Sequence, residues 1–171
     1  MVRNVIIIGS GPAGMTVAIE LAKKGKKLIA EATFFNYHKQ FKKAVAFVKG
    51  VNNIRFVNAN FIIPMPKKKS LLVSKKLSGG CMMDMGPYAA AVPRLFCSGK
   101  LIKMEKIIKK NKKGLIVSFS ILCQFKKTTY HGFFCFGGEY KSNLIFVSKN
   151  KYVELNRVFS PPFDKKLTIV F

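Results

Sequence analysis

Four apolar, strand-forming residues, Val5-Ile6-Ile7-Ile8, run directly into Gly9-Ser10-Gly11-Pro12-Ala13-Gly14. From Ala13 to Lys24 the pattern turns helical, with Ala18, Leu21 and Ala22 apolar, and Gly25 ends it. Lys27-Leu28-Ile29-Ala30-Glu31 then reads as a second strand. A strand, a glycine turn, a helix and a strand in that order predict a βαβ unit, and the glycine spacing is that of the dinucleotide-binding fingerprint. Gly9 permits the tight turn, Gly11 lets the backbone approach a pyrophosphate, and Gly14 lets helix and strand pack closely. The helix N-terminus supplies free N–H groups and a positive dipole end. Glu31 follows Gly11 by 20 residues. A carboxylate there accepts from both ribose hydroxyls and repels a 2′-phosphate, which favours NAD or FAD over NADP. The alternative is an ordinary glycine turn of a βαβ unit with no ligand.

Beyond residue 33 the periodicity changes. His38 to Lys49 is amphipathic, with Phe41, Val45 and Val48 on one face. Ile54 to Ile63 alternates as a strand with Val57, Ala59, Phe61 and Ile63 on one side, and Pro64 and Pro66 close it. A basic loop runs to Ser78, and Gly79-Gly80 opens a helix over roughly Cys81 to Phe96. The remainder reads as consecutive strands, near 101–108, 114–125, 129–136, 142–148, 151–155 and 167–171. The expected fold is α+β: a short Rossmann-like βαβ start over 1–32, then over 33–171 a mainly antiparallel, open-faced sheet with helices on one side.

At 171 residues the chain suits one domain or two small ones, and 49% hydrophobic residues exclude intrinsic disorder. No apolar run is long enough to span a bilayer. Arg3 and the apolar stretch after it imitate a signal peptide. Gly9, Gly11, Pro12 and Gly14 interrupt that stretch, though, and no small-residue cleavage site follows, so a cytoplasmic protein is expected. Cys81, Cys97, Cys123 and Cys135 show no C-x-x-C spacing and sit in apolar neighbourhoods. They read as core thiols in a reducing compartment, and no metal site is expected.

The net charge is +24, and 27 of the 31 basic residues are Lys. Lysine is a hydrated point charge, whereas base-reading surfaces favour the planar fork of Arg. Non-specific attraction to polyanions follows from the charge; a specific nucleic-acid partner does not.

Two resemblances add to this reading. The GSGPAG wording of residues 9–14 resembles the start of flavin-dependent disulfide reductases and related two-dinucleotide oxidoreductases, over about residues 3–31. From about Ala18 onward the chain resembles the glucose–fructose oxidoreductase / inositol dehydrogenase family of NAD(P)-dependent sugar dehydrogenases. Three stretches carry this: Glu20 to Gln40, with Tyr37-His38-Lys39-Gln40 at its end; Gly79-Gly80-Cys81-Met82-Met83-Asp84-Met85-Gly86-Pro87-Tyr88; and Gly137-Gly138-Glu139-Tyr140 with Val153-Glu154-Leu155.

The second resemblance implies an oxidoreductase acting on a sugar, polyol or nucleotide-sugar hydroxyl. It makes Asp84 and Tyr88 the substrate-orienting and proton-handling groups, one turn apart on one helix face. As ordinary residues, Asp84 would be a first-turn helix acid and Tyr88 a core aromatic. Gly9, Ser10, Gly11, Pro12, Ala13, Gly14 and Glu31 would hold NAD, with NADP or FAD as alternatives. The family's Glu-Lys-Pro motif has no counterpart before Glu31, and the cofactor half is short, so a truncated, internally deleted or fused oxidoreductase is expected. A different class also fits: a non-catalytic remnant whose sheet forms a homo-oligomer, as family members use their open sheet face.

Overall fold

The computed structural model describes residues 20, 23–24, 35, 38–49, 54–161 and 169–170. The chain divides into two compact units, Met1–Phe34 and Phe35–Phe171. Of the first, only Glu20, Lys23 and Lys24 are described. Glu20 and Lys23 pair at 2.9 Å across one helical turn, both largely in water. The glycine turn and both strands of the expected βαβ unit lie outside the described residues.

The second unit is a seven-stranded sheet with its helices on one face. In chain order the elements are α1 (Lys39–Lys49), β1 (Phe56–Ile63), α2 (Cys81–Phe96), β2 (Leu101–Lys110), β3 (Ile116–Phe125), β4 (Thr129–Phe136), β5 (Lys141–Val147), β6 (Tyr152–Asn156) and β7 (Ile169–Val170). The strands lie in the order β2-β3-β4-β1-β5-β6-β7. Among the described strands β1 and β4 run parallel and every other neighbouring pair is antiparallel. The α+β architecture and the largely antiparallel sheet expected from the sequence are both present.

Local chemistry sets the boundaries. The His38 carbonyl accepts from Lys42 N–H at 3.0 Å and so opens α1, whose Phe41 is buried edge-on against Phe35 at 4.9 Å. The Val48 side chain lies outside the described residues. In the β2–β3 hairpin the Asn111 side chain accepts from Lys113 and Leu115 N–H at 2.9 and 3.0 Å, an Asx-type turn. The basic stretch before α2, read as a plain loop, instead holds two 3-10 turns, Leu71–Val73 and Lys75–Leu77. Ser70 Oγ caps the first by accepting from Leu72 N–H at 3.2 Å.

The strict alternation in β1 and β4 sends one set of side chains towards the helices and the other set away. On the helix side Val57, Ala59, Tyr130, Phe134, Leu144 and Leu155 pack under Met85, Ala89, Val92 and Phe96 of α2. Each such large apolar side chain contributes about 1.5–3 kcal/mol by leaving water. Phe96 stacks edge-on to Phe146 at 4.6 Å, and Phe41 meets Phe96 at 5.7 Å, which ties α1 to the same face.

Candidate functional site

The segment that carries the candidate catalytic pair begins at Gly79-Gly80. A Cβ on Gly79 would stand 2.7 Å from the carbonyl oxygens of both Leu71 and Leu72, so only glycine fits against that 3-10 turn. Gly80 has φ of 125°, outside the range L side chains adopt readily, and its N–H donates to Leu72 O at 2.8 Å. Its carbonyl then accepts from Met83 and Asp84 N–H at 3.1 Å, starting α2. The two glycines therefore fix where the helix starts and which way it leaves the loop.

Asp84 lies in the first turn of α2 and Tyr88 one turn further on, both half-buried. A carboxylate in the first turn is favoured by the helix dipole. The Tyr88 ring packs edge-on to Phe61 and Phe159 at 5.6 Å and tilted against Phe35 at 5.5 Å. The Tyr88 ring thus sits among aromatic neighbours, as a core aromatic does. Pro87 lies inside the helix between the two residues. Where Gly86 sits, a Cβ would meet nothing within 4 Å. His38 opens α1, and His131 lies in β4, within the strand expected near 129–136. Gly9, Ser10, Gly11, Pro12, Ala13, Gly14 and Glu31 lie outside the described residues.

The sequence reading missed a second polar constellation, on the sheet face turned away from the helices. Asn58 Nδ2 lies 3.0 Å from His131 Nδ1, and Asn60 Nδ2 donates to Asn58 Oδ1 at 2.5 Å and to Asn143 Oδ1 at 3.1 Å. Asn143 Nδ2 donates to Glu154 Oε1 at 2.7 Å, and the Tyr152 hydroxyl donates to Glu154 Oε2 at 2.8 Å. This row crosses β4, β1, β5 and β6. The Asn143 hydrogen bond, with help from Tyr152 and the Lys141 ammonium, holds the Glu154 carboxyl below its usual range. The available signal was Asn58 and Asn60 alternating with Val57, Ala59 and Phe61.

Cys81 and Cys123 are core thiols, Cys97 packs against the core, and Cys135 is half-buried outside it. Burial pushes Cys81 and Cys97 up to about 12, and all four cysteines are free. Among the described residues no group of His, Cys, Asp and Glu side chains could hold a metal ion, and no helix is long and apolar enough to cross a membrane.

Solved structures share this fold. A 3-ketoreductase from Actinomadura kijaniata, in complex with NADP and TDP-benzene, matches with a TM-score of 0.75 at 20% identity over 92% of this chain and 50% of that one. An aldose-aldose oxidoreductase from Caulobacter crescentus, complexed with glycerol, matches with a TM-score of 0.70 at 15% identity, over 92% and 48%. A UDP-N-acetylglucosamine 3-dehydrogenase from Acidithiobacillus ferrooxidans gives 0.63 at 12%, over 92% and 48%. The chain spans about half the length of these proteins, and at such identities the likeness is one of fold. No curated protein matches the sequence. The flavin-reductase-like wording at residues 9–14 proves to be the start of a longer match, over residues 3–119, to the family described as pyridine nucleotide-disulphide oxidoreductase. With well over half of its length matched, the chain belongs to the pyridine nucleotide-disulphide oxidoreductase family.

Proposed function

We propose that this chain serves an NAD(P)-dependent oxidoreductase that acts on a hydroxyl of a sugar, polyol or nucleotide-sugar. The observation that carries the reading is the α2 arrangement: Asp84 and Tyr88 one turn apart behind a glycine joint that sets the helix start. The fold shared with the ketoreductase and the two sugar oxidoreductases, and the pyridine-nucleotide family match, support it. Gly9, Ser10, Gly11, Pro12, Ala13 and Gly14 bind the pyrophosphate, and Glu31 binds the ribose hydroxyls, which makes NAD the cofactor although the ketoreductase holds NADP. The nicotinamide, when bound, exchanges a hydride with the substrate carbon. Asp84 orients the substrate hydroxyl by accepting its hydrogen bond, and the Tyr88 phenol oxygen takes or returns the hydroxyl proton.

The first test is NADH fluorescence titration at low and high salt, with NADPH alongside. Saturable binding of NADH that survives salt supports the reading; binding erased by salt is charge attraction only. A yellow, flavin-bearing protein would favour FAD instead. Asp84→Asn and Tyr88→Phe are each expected to lower sugar-dependent NAD reduction by about 10²-fold or more. Undiminished turnover in the double variant sinks the assignment of these two residues.

A second reading rests on the hydrogen-bonded row from His131 to Tyr152, which lies on the face no described helix covers. A second copy stacked there would make the sheet an oligomerisation surface. A monomer by light scattering at high concentration would count against it.

A further inference from the structure

Strand β2 stands apart from the rest of the sheet. It is ten residues long, about 33 Å, and every one of its residues is exposed. It pairs with β3 on one side, and no described strand pairs with its other edge. Ile107, Ile102 and Met104 are 75%, 62% and 56% exposed, so apolar side chains large enough for a core lie in water. Lys103 and Lys106 stand between them and Lys109 and Lys110 follow, with Glu105, paired to Lys103 at 2.6 Å, the one acid in the strand.

The register shows how these chemistries are distributed. Met104 and Ile108 pair with Cys123 and Phe119, both buried on the helix side, so Met104, Lys106 and Ile108 share that side, while a register shift separates Lys109 from Lys110. Lys103, Glu105, Ile107 and Lys109 share the other. One face thus alternates apolar and cationic groups, the other carries two lysines, an acid and an isoleucine, and the outer backbone edge is unpaired among the described residues. More lysine flanks one end of the edge. Lys75 Nζ lies 3.4 Å from where a Cβ on Gly114 would be, which places the basic 3-10 turn beside the hairpin bearing Lys112 and Lys113. No acidic residue occurs in 64–78 or 106–118.

We infer that the β2 edge is a docking site for an acidic, extended peptide segment, which adds to the sheet as an eighth strand. Three observations demand the same partner. A backbone edge unpaired among the described residues calls for an extended chain. Exposed Met104, Ile107 and Ile108 call for apolar side chains at alternating positions. The lysines call for carboxylates between those positions. A second copy of the chain fails the third condition: antiparallel β2–β2 pairing sets four lysines and one acid against the same set, at cross-strand distances of about 5 Å. Lysines on an edge commonly ward off other edges, and here they discriminate, repelling the chain's own copies and drawing an acidic strand.

The test uses the full chain and a fluorescein-labelled eight-residue peptide, in anisotropy at about 0.15 M salt. The peptide carries glutamates facing Lys103, Lys106, Lys109 and Lys110, a lysine facing Glu105, and valines facing Met104, Ile107 and Ile108. It is expected to bind saturably and about ten-fold or more tighter than a scrambled peptide of the same composition. N-methylation of one alternate set of peptide amides is expected to abolish binding, and of the other set to spare it, because only one set faces β2. Lys106→Glu with Lys110→Glu should weaken the acidic peptide and restore binding to one with lysines facing those two positions, with an unchanged circular dichroism spectrum. Equal binding of the scrambled peptide, or indifference to both N-methylations, would overturn the proposal in favour of charge attraction alone. So would self-association through β2, or binding to phosphatidylserine vesicles without binding to the peptide.

Discussion

The phenol oxygen of Tyr130 occupies the space above Gly132: a Cβ at position 132 would lie 2.5 Å from it and 2.7 Å from Phe134 Cε2. Both rings are fully buried on the helix side of β4. The glycine in this strand is therefore the room in which two aromatic neighbours turn towards each other.

Gly132→Ala is expected to destabilise the fold by about 1–3 kcal/mol, the usual cost of an overpacked core. Among the described residues the Tyr130 hydroxyl has no hydrogen-bond partner. Tyr130→Phe should therefore be neutral or stabilising by about 1 kcal/mol, and should recover part of the loss in the Gly132→Ala background. Urea titration of the three variants reads both effects.

At the start of α2, Gly79→Ala drives a methyl into two carbonyl oxygens, and Gly80→Ala strains a backbone at φ 125°. Each should cost about 2 kcal/mol or more. Their proximity to Asp84 means that activity could fall as well. A thermal midpoint lowered in step with turnover identifies the structural cause.

Alkaline pH should weaken the fold. Burial raises Cys81 and Cys97 to about 12 from 9.0, and raises the Tyr130 phenol above its ordinary value of 10.0. The unfolded chain releases these protons first, so the stabilisation is complete below pH 9 and declines as pH rises from 9 towards 12. Denaturation midpoints should fall across that interval. Cys81→Ala with Cys97→Ala should flatten the decline, whatever the variant does to the midpoint near neutrality.

Glu154 behaves in the opposite sense. Its carboxyl is lowered from 4.5, chiefly by the Asn143 hydrogen bond, so its contribution is present above that pH and lost as acid protonates it. Asn143 is itself buried and bonded on both sides. Asn143→Ala, which strands Asn60 as well as Glu154, is expected to cost about 2 kcal/mol, and Glu154→Gln about 1 kcal/mol. The Glu154→Gln loss should shrink as pH falls below 4.5 and vanish only once the lowered folded carboxyl is itself protonated.

Much of the second unit was legible because its strands alternate cleanly. Val57, Ala59 and Phe61 announce β1, and the Cys81–Phe96 helix matches its expected limits. What stayed hidden depends on the order of strands across the sheet. The lysines of Leu101–Lys110 suit an edge, but nothing in the strand says which neighbour it takes or that its isoleucines end up in water. Likewise Asn58, Asn60, Asn143 and Glu154 are far apart in the chain, and only the pairing of β1 with β5, and of β5 with β6, makes them one row. The two 3-10 turns within 64–78 show the limit of composition, since a single capping serine, Ser70, stands among lysines that read as loop.

The placement of β1 also sets a timetable. It comes first among the described strands, yet both its neighbours, β4 and β5, come late, and a contact such as Asn58 to His131 spans 73 residues. The β2–β3–β4 meander closes through short turns and can form on its own, whereas β1 must wait for that ribbon to arrive and for β5 to seal its other side. Pairing of β1 on both sides thus waits for β4 and β5. During synthesis the backbone edges of β1 stay unpaired until β4 and β5, which end at Phe136 and Val147, have emerged.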